Sequence, residues 1–234
     1  MPLEPLRTRL SGSDADAPAI RTGGGGWPHC LWVEGSSIRY ARYYGKEWTF
    51  LGGVSLARES SSDVVIFPNS LDVDELGRPY AVIYESSWIK ILWWDGSAWQ
   101  TEGVTSVSGK ELTGAACCWR SEPFISALYW TSSKSTLCMY RKTGGVWSFV
   151  QEDLGGQDQV PASLVSRNVD CYIYNFWKAS KAGEGWIGHM MYHPTSDVWA
   201  GLIEKKVSFS MQDAEIVDLD FVTMDENLSS SSSS

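Results

Sequence analysis

The sequence has little positive charge, and it lacks a long apolar run. Nineteen Lys and Arg stand against 28 Asp and Glu in 234 residues, for a formal charge of −9. Phosphate binding needs clustered cations, so nucleic acid is excluded as a partner, and adsorption to anionic lipid is disfavoured. No stretch reaches the roughly 18 consecutive apolar residues of a spanning helix, which excludes membrane insertion by that route. The first twenty residues, MPLEPLRTRLSGSDADAPAI, have no apolar h-region of a signal peptide. The expected location is therefore the cytoplasm, or the outside by another route such as assembly on a virus particle.

Metal and cofactor signatures are also scarce. The cysteine count of five is odd, and no two of Cys30, Cys117, Cys118, Cys138 and Cys171 have zinc-like CxxC spacing. Each falls in a predicted strand, and vicinal Cys117 and Cys118 would point to opposite faces. Buried free thiols made in a reducing cell are the expectation. His189 and His193 are four apart, which on a strand separates them by about 13 Å, too far to share an ion. His29 reads as a packed or surface histidine. Asp72–Gly77 looks superficially like a calcium loop, but Leu76 stands at the fifth position and Ile83 at the twelfth, so it reads as a solvated turn. No phosphate loop or nucleophile elbow occurs in a strand-to-helix setting, and Gly23–Gly26 leads into a strand. No metal and no cofactor is expected.

What the chain has is aromatic residues in a repeat. Pro79–Trp99 (PYAVIYESSWIKILWWDGSAW) reads as strand, short polar turn, strand, Asp95-Gly96 turn and the start of a further strand. Pro28–Trp48 falls on it with the same spacing. Pro123–Trp147 matches with four residues added, and Asp170–Trp199 is a looser copy. The terminal tryptophans Trp48, Trp99, Trp147 and Trp199 lie 51, 48 and 52 residues apart. A period of about 40–50 residues made of several short strands marks a β-propeller blade. The thirteen Trp, ten Tyr and seven Phe then serve chiefly as packing between blades.

In chain order, residues 1–17 read as a polar arm or connector. Residues 18–222 form an all-β propeller of about four blades, each four strands of a roughly 50-residue unit. Innermost strands lie near Pro18–Ile20, Asn69–Leu71, Thr113–Cys117 and Pro161–Val165, and fourth strands begin at the period tryptophans. No helix is expected. Ala214–Phe221 alternates like one more inner strand, which either closes a four-bladed ring in place of residues 18–23 or begins an incomplete fifth blade. Residues 223–234 end in a serine run and read as a disordered tail.

The run Asn69–Tyr84, followed by Ile89–Trp93 and Asp95-Gly96…Trp99, resembles the repeat of sialidase-like and lectin-like β-propellers across nearly the whole chain. Sialidases add Asp-box turns, an arginine triad and a Tyr/Glu pair. Trp94–Trp99 and Thr195–Trp199 match that box in part, and no triad can be assigned. The expectation is a module that is not an enzyme. The most economical reading is a structural or receptor-binding protein of a virion, as in a bacteriophage tail, fibre or decoration protein, which implies other subunits of a larger assembly. The alternative is a stand-alone glycan-binding propeller, and a sialidase-like glycosidase comes third. The expected interaction surface is the face carrying the second-to-third-strand turns and the connections between blades (51–68, 102–112, 151–160, 201–213), with a glycan or protein ligand. Trp88, Trp130, Trp177 and Trp186 are the candidate ligand-binding residues there, since an exposed indole can stack on a sugar or anchor a protein.

Overall fold

The computed structural model describes residues 15–206 except 24, 56–63, 133, 157–158 and 170. Within them the chain forms sixteen strands in four antiparallel sheets. Blade 1 is β1 (Ala15–Thr22), β2 (Pro28–Glu34), β3 (Ser37–Tyr44) and β4 (Glu47–Ser55). Blade 2 is β5 (Val64–Val73), β6 (Pro79–Glu85), β7 (Trp88–Trp94) and β8 (Trp99–Ser106). Blade 3 is β9 (Glu111–Arg120), β10 (Glu122–Thr131), β11 (Lys134–Thr143) and β12 (Val146–Gly155). Blade 4 is β13 (Gln159–Val169), β14 (Tyr172–Lys181), β15 (Glu184–His193) and β16 (Val198–Lys206). Each sheet runs in chain order from inside to outside.

The second strands of blades 2 and 3 are buried on both sides, because alternate residues face opposite neighbours, while β14 and β15 of blade 4 alternate buried with half-buried residues. On β6, Ala81 and Ile83 pack with Leu31, Ile38 and Tyr40 of blade 1, while Tyr80 and Val82 pack with Ile125, Ala127 and Tyr129 of blade 3. The period tryptophans cross these boundaries backward. Trp99 packs edge-on against Tyr40 at 5.4 Å and donates its indole N–H to the Leu51 carbonyl of blade 1 at 3.0 Å. Trp147 lies against the cluster shared by blades 2 and 3, and Trp199 against Phe124 and Met139 of blade 3. Trp48 packs within its own blade, on Cys30, Trp32 and Ala41 and edge-on to Tyr43 at 5.6 Å. Between blades 3 and 4 a buried polar network is satisfied internally: Asn175 Oδ1 accepts from Ser126 at 2.5 Å and from Ser166 at 2.6 Å.

The inner strands β1, β5, β9 and β13 pack in succession, and among the described residues β13 and β1 are not packed together as these neighbours are. Their ends are laced by hydrogen bonds. Arg21 on β1 pairs with Asp72 on β5 at 2.9 Å, Asp72 accepts the Trp119 amide N–H of β9 at 2.6 Å, and Asn168 of β13 donates to the Trp119 carbonyl at 3.3 Å.

Several expectations change here. Blade 1 has its own inner strand, paired with β2 from Ala15 to Thr22; the expected closing strand was Ala214–Phe221. That segment, like residues 1–14 and the serine run, lies outside the described residues. The connections 102–112 and 151–160 are mostly strand, since β8 and β12 keep pairing past single-residue register shifts; four and three residues remain between blades. The Asp72–Gly77 turn is solvated at Glu75 and Leu76, while Asp72 and Asp74 are built in. Asp74 is buried and accepts the Leu76 and Arg78 amides at 2.9 and 2.7 Å and Arg78 Nε at 2.6 Å. Cys30, Cys117, Cys118 and Cys138 are buried free thiols, while Cys171 is an exposed one in the β13–β14 turn.

Candidate functional site

A candidate site lies at the rim between blades 1 and 2, where first-to-second-strand and third-to-fourth-strand turns gather. It begins with the glycine run. The Gly23 amide donates to the Trp27 carbonyl at 3.0 Å and the Gly26 amide to the Gly23 carbonyl at 2.9 Å. Gly26 has φ of 75°, a conformation glycine adopts without a Cβ penalty. That tight turn lifts Trp27 to the surface, edge-on to Tyr44 at 5.3 Å and tilted on Tyr43 at 6.3 Å. Trp27 is 37% exposed and Tyr44 62%, a large aromatic surface to leave in water.

The cleft beneath is lined by His29, Arg42 and the aromatics from blade 1, and by Asp74–Gly77 from blade 2. Its cavity of about 160 Å³ is below the roughly 300 Å³ at which drug-sized pockets start, so it suits one small ring of a ligand that continues outside. His29 and Arg42 are register partners on β2 and β3. His29 is buried, hydrogen-bonded to the Tyr40 hydroxyl, and its pKa is lowered by burial first and then by the Arg42 charge. Arg42 Nε is buried with no hydrogen-bond partner among the described residues. Asp74 is committed to its turn, but Glu75 is exposed and accepts the Trp119 indole N–H of blade 3 at 2.7 Å. The cleft therefore offers flat apolar faces, a half-buried guanidinium and a carboxylate acceptor.

The four tryptophans expected from the sequence are not brought together. Trp177 is 0% exposed and sits in the core between blades 3 and 4, so close to Gly188 that a Cβ there would fall 2.2 Å from its ring. Trp186 is half-buried against the same core. Trp130 is half-buried at the end of β10. Trp88, at the β6–β7 turn, is 45% exposed and lies over Gly103. Of the four, Trp88 is exposed, Trp130 and Trp186 are half-buried and Trp177 is sealed. Trp27, Tyr43 and Tyr44 were missed, although the four glycines before Trp27 signal a tight turn next to a strand start. His189 is stacked between Tyr174 at 5.6 Å and Phe176 at 4.5 Å.

No known family profile matches the chain, and no curated protein does. Among solved structures it is similar to a bifunctional GH43-CE protein of Bacteroides eggerthii, with a TM-score of 0.53, 9% identity and coverage of 83% of this chain. The chain spans 28% of that protein's length. The likeness is one of fold, and with the four four-stranded sheets it makes this an all-β, propeller-type protein. The expectation of a non-enzyme is corrected by this comparison, because the shared architecture is one in which an enzyme is built. The comparison gives the sialidase repeat no separate support, and it offers no link to a virus particle. No helix among the described residues is long and apolar enough to cross a membrane.

Proposed function

We propose that this chain recognises carbohydrate in the cleft between its first two blades. The observation that carries the reading is the placement of Arg42, its Nε unpaired and buried, in one cleft with the exposed pair Trp27 and Tyr44. A sugar ring has an apolar face and a hydroxyl rim. Indole and phenol rings cover the first, while Arg42 donates to hydroxyl oxygens and Glu75 accepts from them. The fold shared with a glycoside hydrolase–esterase supports a carbohydrate ligand over a virion role. The test is a printed glycan array, followed by titration of each hit and assays with aryl glycosides and aryl esters. Saturable binding competed by free sugar supports the proposal, and turnover would add the chemistry; an array with no hit contradicts it.

A further inference from the structure

The cleft between blades 1 and 2 recurs one blade on. The register pair His29–Arg42 that floors it corresponds in the repeat to Tyr80–Trp93 on β6 and β7. Those two residues, with Ile91, Glu102, Pro123, Lys142 and Trp147, line a second cleft of about 200 Å³ on the same face, between blades 2 and 3. Its walls are flat aromatic rings. Trp147 has its indole nitrogen buried with no partner among the described residues, and Lys142 lies over the Trp147 ring, 5.9 Å from its centre. Lys142 and Glu102 pair at 2.5 Å at the mouth. A single side chain joins the two clefts: Trp119 stacks on Tyr80 at 4.5 Å and donates to Glu75, which lines the first cleft. At the third boundary the corresponding cation is engaged instead. The equivalent register pair is Phe124–Arg141, and Arg141 is held by the Pro194 carbonyl at 2.9 Å and Asp197 at 2.8 Å.

Resting on the carbohydrate reading above, we infer that the second cleft is an extension subsite, so that the ligand is an oligosaccharide lying across Trp119 with sugar rings in both clefts. Two repeat-related aromatic sites on one face, separated by one stacked side chain, suit a ligand that is itself a repeat. Linking two weak contacts through one chain raises affinity without any new contact. The half-exposed Lys142–Glu102 pair would meet hydroxyls of the second ring.

The test uses the full chain and size-graded cello-, manno-, xylo- and arabino-oligosaccharides of two to six sugars, titrated by calorimetry. In the wild type, affinity rises about tenfold or more with length, the gain expected of one further stacked ring. Trp147→Ala abolishes that gain and leaves affinity for the shortest binder within about twofold. Because Trp147 also packs between blades, Lys142→Met is run beside it and flattens the length series partly with the fold intact by circular dichroism. A length series that is flat in the wild type, or unchanged in both variants, overturns the subsite while the first cleft stands. If no oligosaccharide binds the wild type at all, the carbohydrate reading and the subsite fall together.

Discussion

Asp72 of β5 holds blades 1, 2 and 3 together: one carboxylate oxygen takes the Arg21 guanidinium at 2.9 Å and the other the Trp119 amide at 2.6 Å. The carboxylate is 10% exposed and the Arg21 side chain 24%. Removing one partner of a buried pair leaves the other charge uncompensated. Asp72→Asn is expected to lower stability by roughly 2–3 kcal/mol, read as a shifted urea midpoint with an unchanged slope. Asp153→Asn, which breaks the exposed pair with Lys134, should cost less than about 1 kcal/mol. Equal effects from the two would mean that Asp72 does not join the inner strands energetically.

Gly188 has no room for a side chain, since an added Cβ would sit 2.2 Å from Trp177 Cε2. Trp177 is wedged among Leu128, Leu137 and Leu164 and cannot retreat. Gly188→Ala should destabilise by about 3 kcal/mol, visible as a lower Tm. An unchanged Tm would place Trp177 outside the core between blades 3 and 4.

The β6–β7 hairpin turns on Ser86 and Ser87, both left-handed at φ of 50° and 65°. This is the two-residue turn that Asn-Gly fits best, and serine adopts it at a cost of about 1 kcal/mol each. Both side chains are exposed. The double substitution Ser86→Asn with Ser87→Gly should raise stability by about 1 kcal/mol without affecting ligand binding in the first cleft.

Two histidines give the fold a pH dependence. Burial lowers the pKa of His29, with Arg42 adding to it, and burial lowers that of His189. Both are therefore neutral in the native state where the unfolded chain, near 6.5, has begun to bind protons. The unfolded state takes up more protons, so stability is complete above about pH 6.5 and falls as pH drops from there toward the lowered values. Asp95 and Asp153 are held below the usual carboxylate range, Asp95 by the Ala98 and Ser97 amides first and Asp153 by Lys134 first. Their contribution is lost only at lower pH, as they protonate. His29→Gln with His189→Gln should flatten the profile just below about pH 6.5 and leave the more acidic limb in place, measured by denaturation across pH.

The blades were legible because the period tryptophans are structural. Trp99, Trp147 and Trp199 each cross to the preceding blade, and a residue with the same task in successive repeats recurs at a nearly fixed interval. The ligand face was harder to read. Trp177 and Trp88 look alike in a sequence, yet one is sealed by Gly188 and the other lies open, and which face of a blade strand meets a neighbour depends on packing order. The first cleft draws residues from positions 23 to 77 on two blades, with Trp119 of a third behind Glu75. None of that juxtaposition is written in local spacing. The register pair His29–Arg42 and its counterpart Tyr80–Trp93 share no residue type, so the recurrence of the cleft shows only in the fold.

The most direct test of the account is calorimetric titration of the best array ligand against the wild type, Trp27→Ala and Trp88→Ala. Trp27 stands in the cleft between blades 1 and 2, and Trp88 on the face first expected from the sequence. The account predicts that Trp27→Ala weakens binding by tenfold or more, about 1.4 kcal/mol, while Trp88→Ala leaves it within about twofold. Loss of binding in Trp88→Ala with Trp27→Ala unaffected would contradict it and move the ligand to the opposite face.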